Sequence, residues 1–179
     1  MLRICPDQCR CVDTIFAVAS EQPDGCRLMI EVNASIQIDA PLEDVFEYMD
    51  QPTNQREITP SLTRSETIET LPNGGKRVAY TYSMAGVDLD GEIEAVEYER
   101  PRRIRWEMTG DLTGEIDWQF EATDDGTHVT YSSSYDLPVR ALESLARPFL
   151  ERYNERELRT TLENLQTRLE HDEAIRGEQ

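Results

Sequence analysis

The sequence predicts an α+β domain: a seven-stranded, curved antiparallel sheet around one long C-terminal helix, with two short helices after the first strand. Three observations point to it. From Ser61 to Asp136 the hydrophobic period stays at two, through six segments parted by short turn signals. From Pro148 to about Glu170 the period is helical. Between the first strand and those six, Pro41 and Pro52 each open a short helical stretch, since proline suits the first turn of a helix.

The elements follow in order. In "IEVNASIQI", Ile30, Val32, Ala34, Ile36 and Ile38 alternate onto one face, as in a half-buried strand. After Pro41, Leu42, Val45, Phe46 and Met49 fall at helical spacing while Glu43, Asp44 and Glu47 point to water. The second short helix runs from Pro52 and is closed by Pro60. "SLTRSETIETL" ends in the turn "PNGG", and "KRVAYTYSMAG" puts Val78, Tyr80, Tyr82 and Met84 on one face. Val87, Leu89 and Ile93 alternate in the next strand, and the shift to Val96 and Tyr98 predicts a bulge near Ala95. Ile104, Trp106 and Met108, then Ile116, Trp118 and Phe120, then Val129, Tyr131, Ser133 and Tyr135 complete the apolar face. Short connections predict antiparallel neighbours, and a charged opposite face predicts a sheet covered on one side. "PVRALESLAR" reads as a further short helix before the long one, whose inner face carries Leu150, Asn154, Leu158, Thr161, Leu162, Leu165 and Leu169.

The domain is expected at residues 29–170. Residues 1–28 read as a flexible extension or the product of an upstream start, and 171–179 as a frayed tail. Cys5, Cys9, Cys11 and Cys26 all fall in the extension. Their spacing, C-x3-C-x-C-x14-C, could hold zinc or form disulfides but matches no standard ligand pattern, so no metal or other cofactor is expected.

Charge dominates the composition. There are 36 acidic and 18 basic residues among 179, a formal charge of −18, and Lys76 is the single lysine. Such a surface repels nucleic-acid backbones and anionic membranes. It also matches proteins of salt-loving organisms, because at about 1 M salt the Debye length falls to about 3 Å and self-repulsion is screened. No apolar run reaches the about 20 residues of a membrane span, and the start does not read as a signal peptide, so a cytoplasmic protein is expected.

The order of elements, with "IDAPLEDVFEYMDQP" at its head and "LENLQTRLE" at its tail, resembles the START-like or SRPBCC superfamily. The flavour is that of its polyketide cyclase/dehydrase and lipid-transport group. Ile38, Ala40, Pro41, Val45 and Phe46 form the I-x-A-P spacing that leads into the first helix. The resemblance covers about residues 30–170 and implies a helix-grip (Bet v 1/START-like) fold, with an apolar cavity for lipids, quinones, polyketides or similar molecules. Relatives often carry a tryptophan in the second short helix, where this chain has "NQREI".

Candidate ligand-binding residues are the bulky side chains of the apolar sheet face, Tyr80, Tyr82, Met84, Trp106, Met108, Trp118, Phe120, Tyr131 and Tyr135. The helix facing them adds Arg147, Leu150, Asn154 and Leu158. The same tyrosines could instead hydrogen-bond to one another in a solid core. Asn154 needs a partner if buried, and Ser133 is one candidate. No catalytic set stands out. His128 lies on the polar side of its strand and His171 in the tail, neither with a nucleophile beside it. Asp88, Asp90, Glu92 and Glu94 share a strand face that could bind metal but reads as a solvated acidic surface. The expected function is binding of a hydrophobic small molecule, as carrier or sensor. A cyclase/dehydratase-type enzyme using the same cavity is the alternative, and a protein-interaction module with a filled core is the third.

Overall fold

The computed structural model describes residues 17–20, 27–84, 86–138 and 147–177, with side chains for 29–84, 86–137 and 152–171. The four cysteines, the stretch 139–146 that the sequence predicts as a short helix, and the side chains of Arg147 and Leu150 lie outside the described residues.

Eight strands form one sheet: β1 (Ala17–Ser20), β2 (Arg27–Ile38), β3 (Leu62–Thr70), β4 (Lys76–Met84), β5 (Val87–Glu99), β6 (Arg103–Gly110), β7 (Thr113–Thr123) and β8 (Gly126–Pro138). The helices are α1 (Leu42–Met49), α2 (Pro52–Ile58) and α3 (Arg147–Gly177). The strand order is β1-β2-β8-β7-β6-β5-β4-β3, with every neighbouring pair antiparallel. Strands β2 to β8 are the seven the sequence predicts, and with α1, α2 and α3 they make the helix-grip architecture. Strand β1 is an addition. It pairs with β2 from Ala17↔Ile30 to Ser20↔Arg27, inside the stretch read as an extension; four small residues, AVAS, are too few to show a period. Helix α3 runs to Gly177, past the Glu170 at which the sequence reading ends it.

Strands β3 to β8 follow one another as a meander, and β2 closes it by pairing along β8 from Arg27↔Pro138 to Ile38↔Thr127. The predicted bulge is present between Ala95 and Glu97, with Ala95 opposite Trp106. It leaves Ala95 fully buried and Val96 as the extra residue. On the outer face, arginines and carboxylates interleave: Arg103 holds Asp117 and Glu97 at 2.9 Å, and Arg105 holds Glu97 at 2.6 Å. These pairs explain the charged half of the strand pattern.

Two different fillings occupy the inner face. Under α1 the packing is solid. Val45, Phe46 and Met49 are fully buried, and the Phe46 ring meets Phe120 and Tyr98 edge-on at 5.5 and 5.6 Å. Lys76 anchors this corner from β4, donating to the Asp50 carbonyl at 2.7 Å and to its carboxylate at 2.5 Å. The C-terminal half of α3 lies over the same end: Leu162, Leu165 and Leu169 are buried, and Gln166 and Glu170 bond to the backbone of Gln37 and Asp39. The N-terminal half of α3 covers the other end, which is not filled.

Candidate functional site

A cavity of about 150 Å³ lies between the N-terminal half of α3, the α2–β3 corner and strands β4 to β8. The filled core required by an interaction module is therefore missing at this end. Backbone register explains how the sheet supplies its wall. Tyr80 on β4 pairs with Gly91 on β5, and Tyr135 on β8 pairs with Gly114 on β7. A Cβ on Gly91 would stand 2.6 Å from the Tyr80 hydroxyl, and one on Gly114 would stand 2.6 Å from Tyr135 Cα. Each glycine thus makes room for a tyrosine. Trp118 and Tyr131, also directly paired, meet edge-on at 4.6 Å.

Polar groups are few. From α3 come Asn154 and Thr161, both buried, with Leu158 between them. The Tyr135 hydroxyl donates to Asn154 Oδ1 at 3.2 Å, so Tyr135, and not Ser133, is the partner of this asparagine. Asn154 Nδ2 has no partner among the described residues. The Ser133 hydroxyl meets none of them at hydrogen-bonding distance either, though it is near enough to the Tyr131 hydroxyl to offset part of the effect of its burial. At the rim stand the half-buried Gln55 and Thr59 of the α2 corner, with Leu62 and Glu157. The "NQREI" stretch therefore places a polar glutamine at the cavity.

Hydrogen bonds tie the α2–β3 corner and the end of β4 to α3. Glu157 accepts from the Ser61 backbone N–H at 2.7 Å, Tyr153 bonds to the Ser61 hydroxyl and donates to the Ser83 carbonyl at 3.2 Å, and Asn164 donates to the Ile58 carbonyl at 2.8 Å. Arg168 reaches Glu57 at 3.2 Å. The four α3 residues recur at intervals of four, seven and four, which keeps them on one side of the helix.

Burial sets the chemistry of the hydroxyls. It pushes the Tyr80 phenol upward, assisted by the Asp111 and Asp90 charges, and does the same to Tyr82, Tyr131 and Tyr135, with neighbouring tyrosines adding to the rise in Tyr82 and Tyr135. All four stay protonated at neutral pH and act as neutral hydrogen-bonding groups. Among the described residues lining the cavity none is basic, and Glu157 at the rim is the acidic one. No group of three or more His, Cys, Asp or Glu among the described residues is placed to hold a metal ion.

Of the residues picked from sequence, Tyr80, Tyr82, Met108, Trp118, Tyr131, Tyr135, Asn154 and Leu158 line the cavity. Met84, Trp106 and Phe120 do not. Phe120 packs beneath Phe46, Trp106 is sealed between Ala95 and Ile116 on the neighbouring strands, and Met84 is buried at the end of β4 opposite Val87. Alternation tells which face a side chain takes but not how far along the groove it sits. Val32, Ile93 and Ile116 also line the cavity; the sequence reading does not select them, although they share the parity of those it does. Leu112, Gln55, Thr59 and Glu157 come from a turn and from rim positions that no periodicity marks.

A bent antiparallel sheet gripping a long helix around a small apolar cavity defines a START-like domain, a fold suited to hydrophobic ligands. A family model described as polyketide cyclase / dehydrase and lipid transport matches residues 29–170, and the chain belongs to that family. No curated protein matches it in sequence. Among solved structures, TTHA0849 from Thermus thermophilus is similar at a TM-score of 0.66 and 21% identity, over 78% of this chain and 96% of that one. The Zhui aromatase/cyclase from Streptomyces sp. R1128 aligns at 0.65 and 17% identity, over 79% and 94%. A START superfamily protein from Mycobacterium smegmatis aligns at 0.65 and 12% identity, over 79% and 97%. Among the described residues no helix is long and apolar enough to cross a membrane.

Proposed function

We propose that the protein binds a hydrophobic small molecule in the cavity under α3, as a carrier or sensor, with residues 29–170 as the binding unit. The observation behind this reading is an apolar hollow lined by aromatic side chains, in which a buried amide nitrogen has no partner among the described residues. A cyclase or dehydratase needs a general acid or base with a pKa near the working pH. The cavity tyrosines are moved the wrong way for that, upward from an already high value, which favours binding over turnover. The acidic surface, with a formal charge of −18, repels phosphate backbones and suits work in a salt-rich cytoplasm.

Native mass spectrometry of freshly purified protein tests the reading. The expected result is an added mass that organic extraction removes and that identifies an apolar molecule. Protein that carries no guest, and takes up none from a panel of apolar compounds, contradicts it.

A further inference from the structure

We propose that the guest is an uncharged molecule, about the size of one substituted aromatic ring, carrying a carbonyl-type oxygen that accepts a hydrogen bond from Asn154 Nδ2. This deepens the binding reading above and rests on it.

Size comes first. An apolar cavity of about 150 Å³ takes up benzene in other proteins, and the volume here is about 150 Å³.

The polar handle comes next. Asn154 is 5% exposed, and its two amide atoms are in different situations. Oδ1 receives the Tyr135 hydroxyl proton, and Nδ2 has no partner among the described residues. Turning the amide over would not improve matters; it would take the acceptor away from Tyr135, whose burial keeps it protonated and in need of one. A donor is therefore what Asn154 offers to the cavity. Burying such a group unpaired is costly, so a ligand oxygen that meets it gains affinity over an apolar ligand of the same shape. Any water held there first would be displaced by an atom able to reproduce its hydrogen bond.

Charge excludes the acidic counterparts. No described lining residue is cationic, Glu157 stands at the rim, and the chain carries −18 overall. A carboxylate or phosphate entering this cavity would lose its hydration with no cation among the described lining residues to offset it.

Calorimetric binding of ethylbenzene, acetophenone and benzoate at neutral pH tests the inference, because the first two match in shape and the third is anionic. Relative to their transfer from water to cyclohexane, acetophenone is expected to bind about tenfold better than ethylbenzene, and benzoate not to bind. In Tyr135→Phe/Asn154→Ala, which removes the hydrogen-bonded pair together without adding bulk to the cavity, the affinity ratio of acetophenone to ethylbenzene on that scale is expected to fall about tenfold. Ethylbenzene binding without any acetophenone preference in the wild type, a preference untouched in the double variant, or benzoate binding tightest each overturns this inference and leaves the binding reading standing. Failure of all three probes overturns both. Should the double variant not fold, the wild-type ranking decides.

Discussion

The two ends of the interior share one sheet and one helix, yet one is solid and the other hollow. Over the solid end α1 lays Phe46, Met49 and Val45 against the sheet, and the C-terminal half of α3 buries Leu162, Leu165 and Leu169. Over the hollow end α2 and its C-terminal cap offer Gln55 and Thr59, and the N-terminal half of α3 offers Asn154 and Thr161. What lies above the sheet decides the outcome. Interlocking apolar side chains reach crystal-like density, whereas short polar ones leave space and an unmet hydrogen bond.

Substitution at the solid end should cost most. Phe46→Ala removes a ring held between Phe120 and Tyr98, and about 3–5 kcal/mol of stability is expected to go with it in denaturant titration. A loss under about 1 kcal/mol would mean that this end is not tightly packed. At the hollow end the ranking reverses. Thr161→Leu fills space that is already empty, so stability should move by less than about 1.5 kcal/mol while uptake of ethylbenzene falls at least about tenfold. Unchanged uptake would place the guest elsewhere.

That contrast is only half legible in the sequence. Alternation assigns Tyr80, Trp106, Trp118 and Phe120 to the inner face, and the proline-opened helices and the long terminal helix stand where the sequence puts them. Depth along the groove is not written in any period. Trp106 and Trp118 have the same parity and similar flanks, but the first is sealed opposite Ala95 and the second meets the cavity. Asn154 is visible as a polar break in a leucine face. Its partner is not, because Tyr135 reaches it through the pairing of β8 with β2 and the placement of α3 across the sheet. Strand β1 is too short to leave a pattern of its own.

Smaller effects should separate the ends further. In an alkaline titration followed by ultraviolet absorbance, Tyr82, Tyr131 and Tyr135 should ionise at higher pH than an exposed tyrosine while the protein is folded. Their folded pKa values lie above the unfolded one of about 10, so the native state retains protons that the unfolded chain releases. Stability from this source is complete below about pH 10 and is lost as pH rises beyond it. Ionisation of these phenols at the pH of an exposed tyrosine, without unfolding, would mean that water already reaches them. The smallest and most general effect concerns the surface. Raising salt from about 0.1 to 1 M should raise the melting temperature by screening the net charge of −18. A fall would remove the case for salt adaptation.

Xenon distinguishes hollow from solid without regard to the identity of any natural guest, since it enters dry apolar cavities of this size. In a crystal held under xenon pressure, density is expected among Trp118, Tyr131 and Leu158, with none between Phe46 and Phe120. Xenon at neither place, or beside Phe46 alone, would contradict a molecule that is closed at its α1 end and built to hold a guest beneath α3.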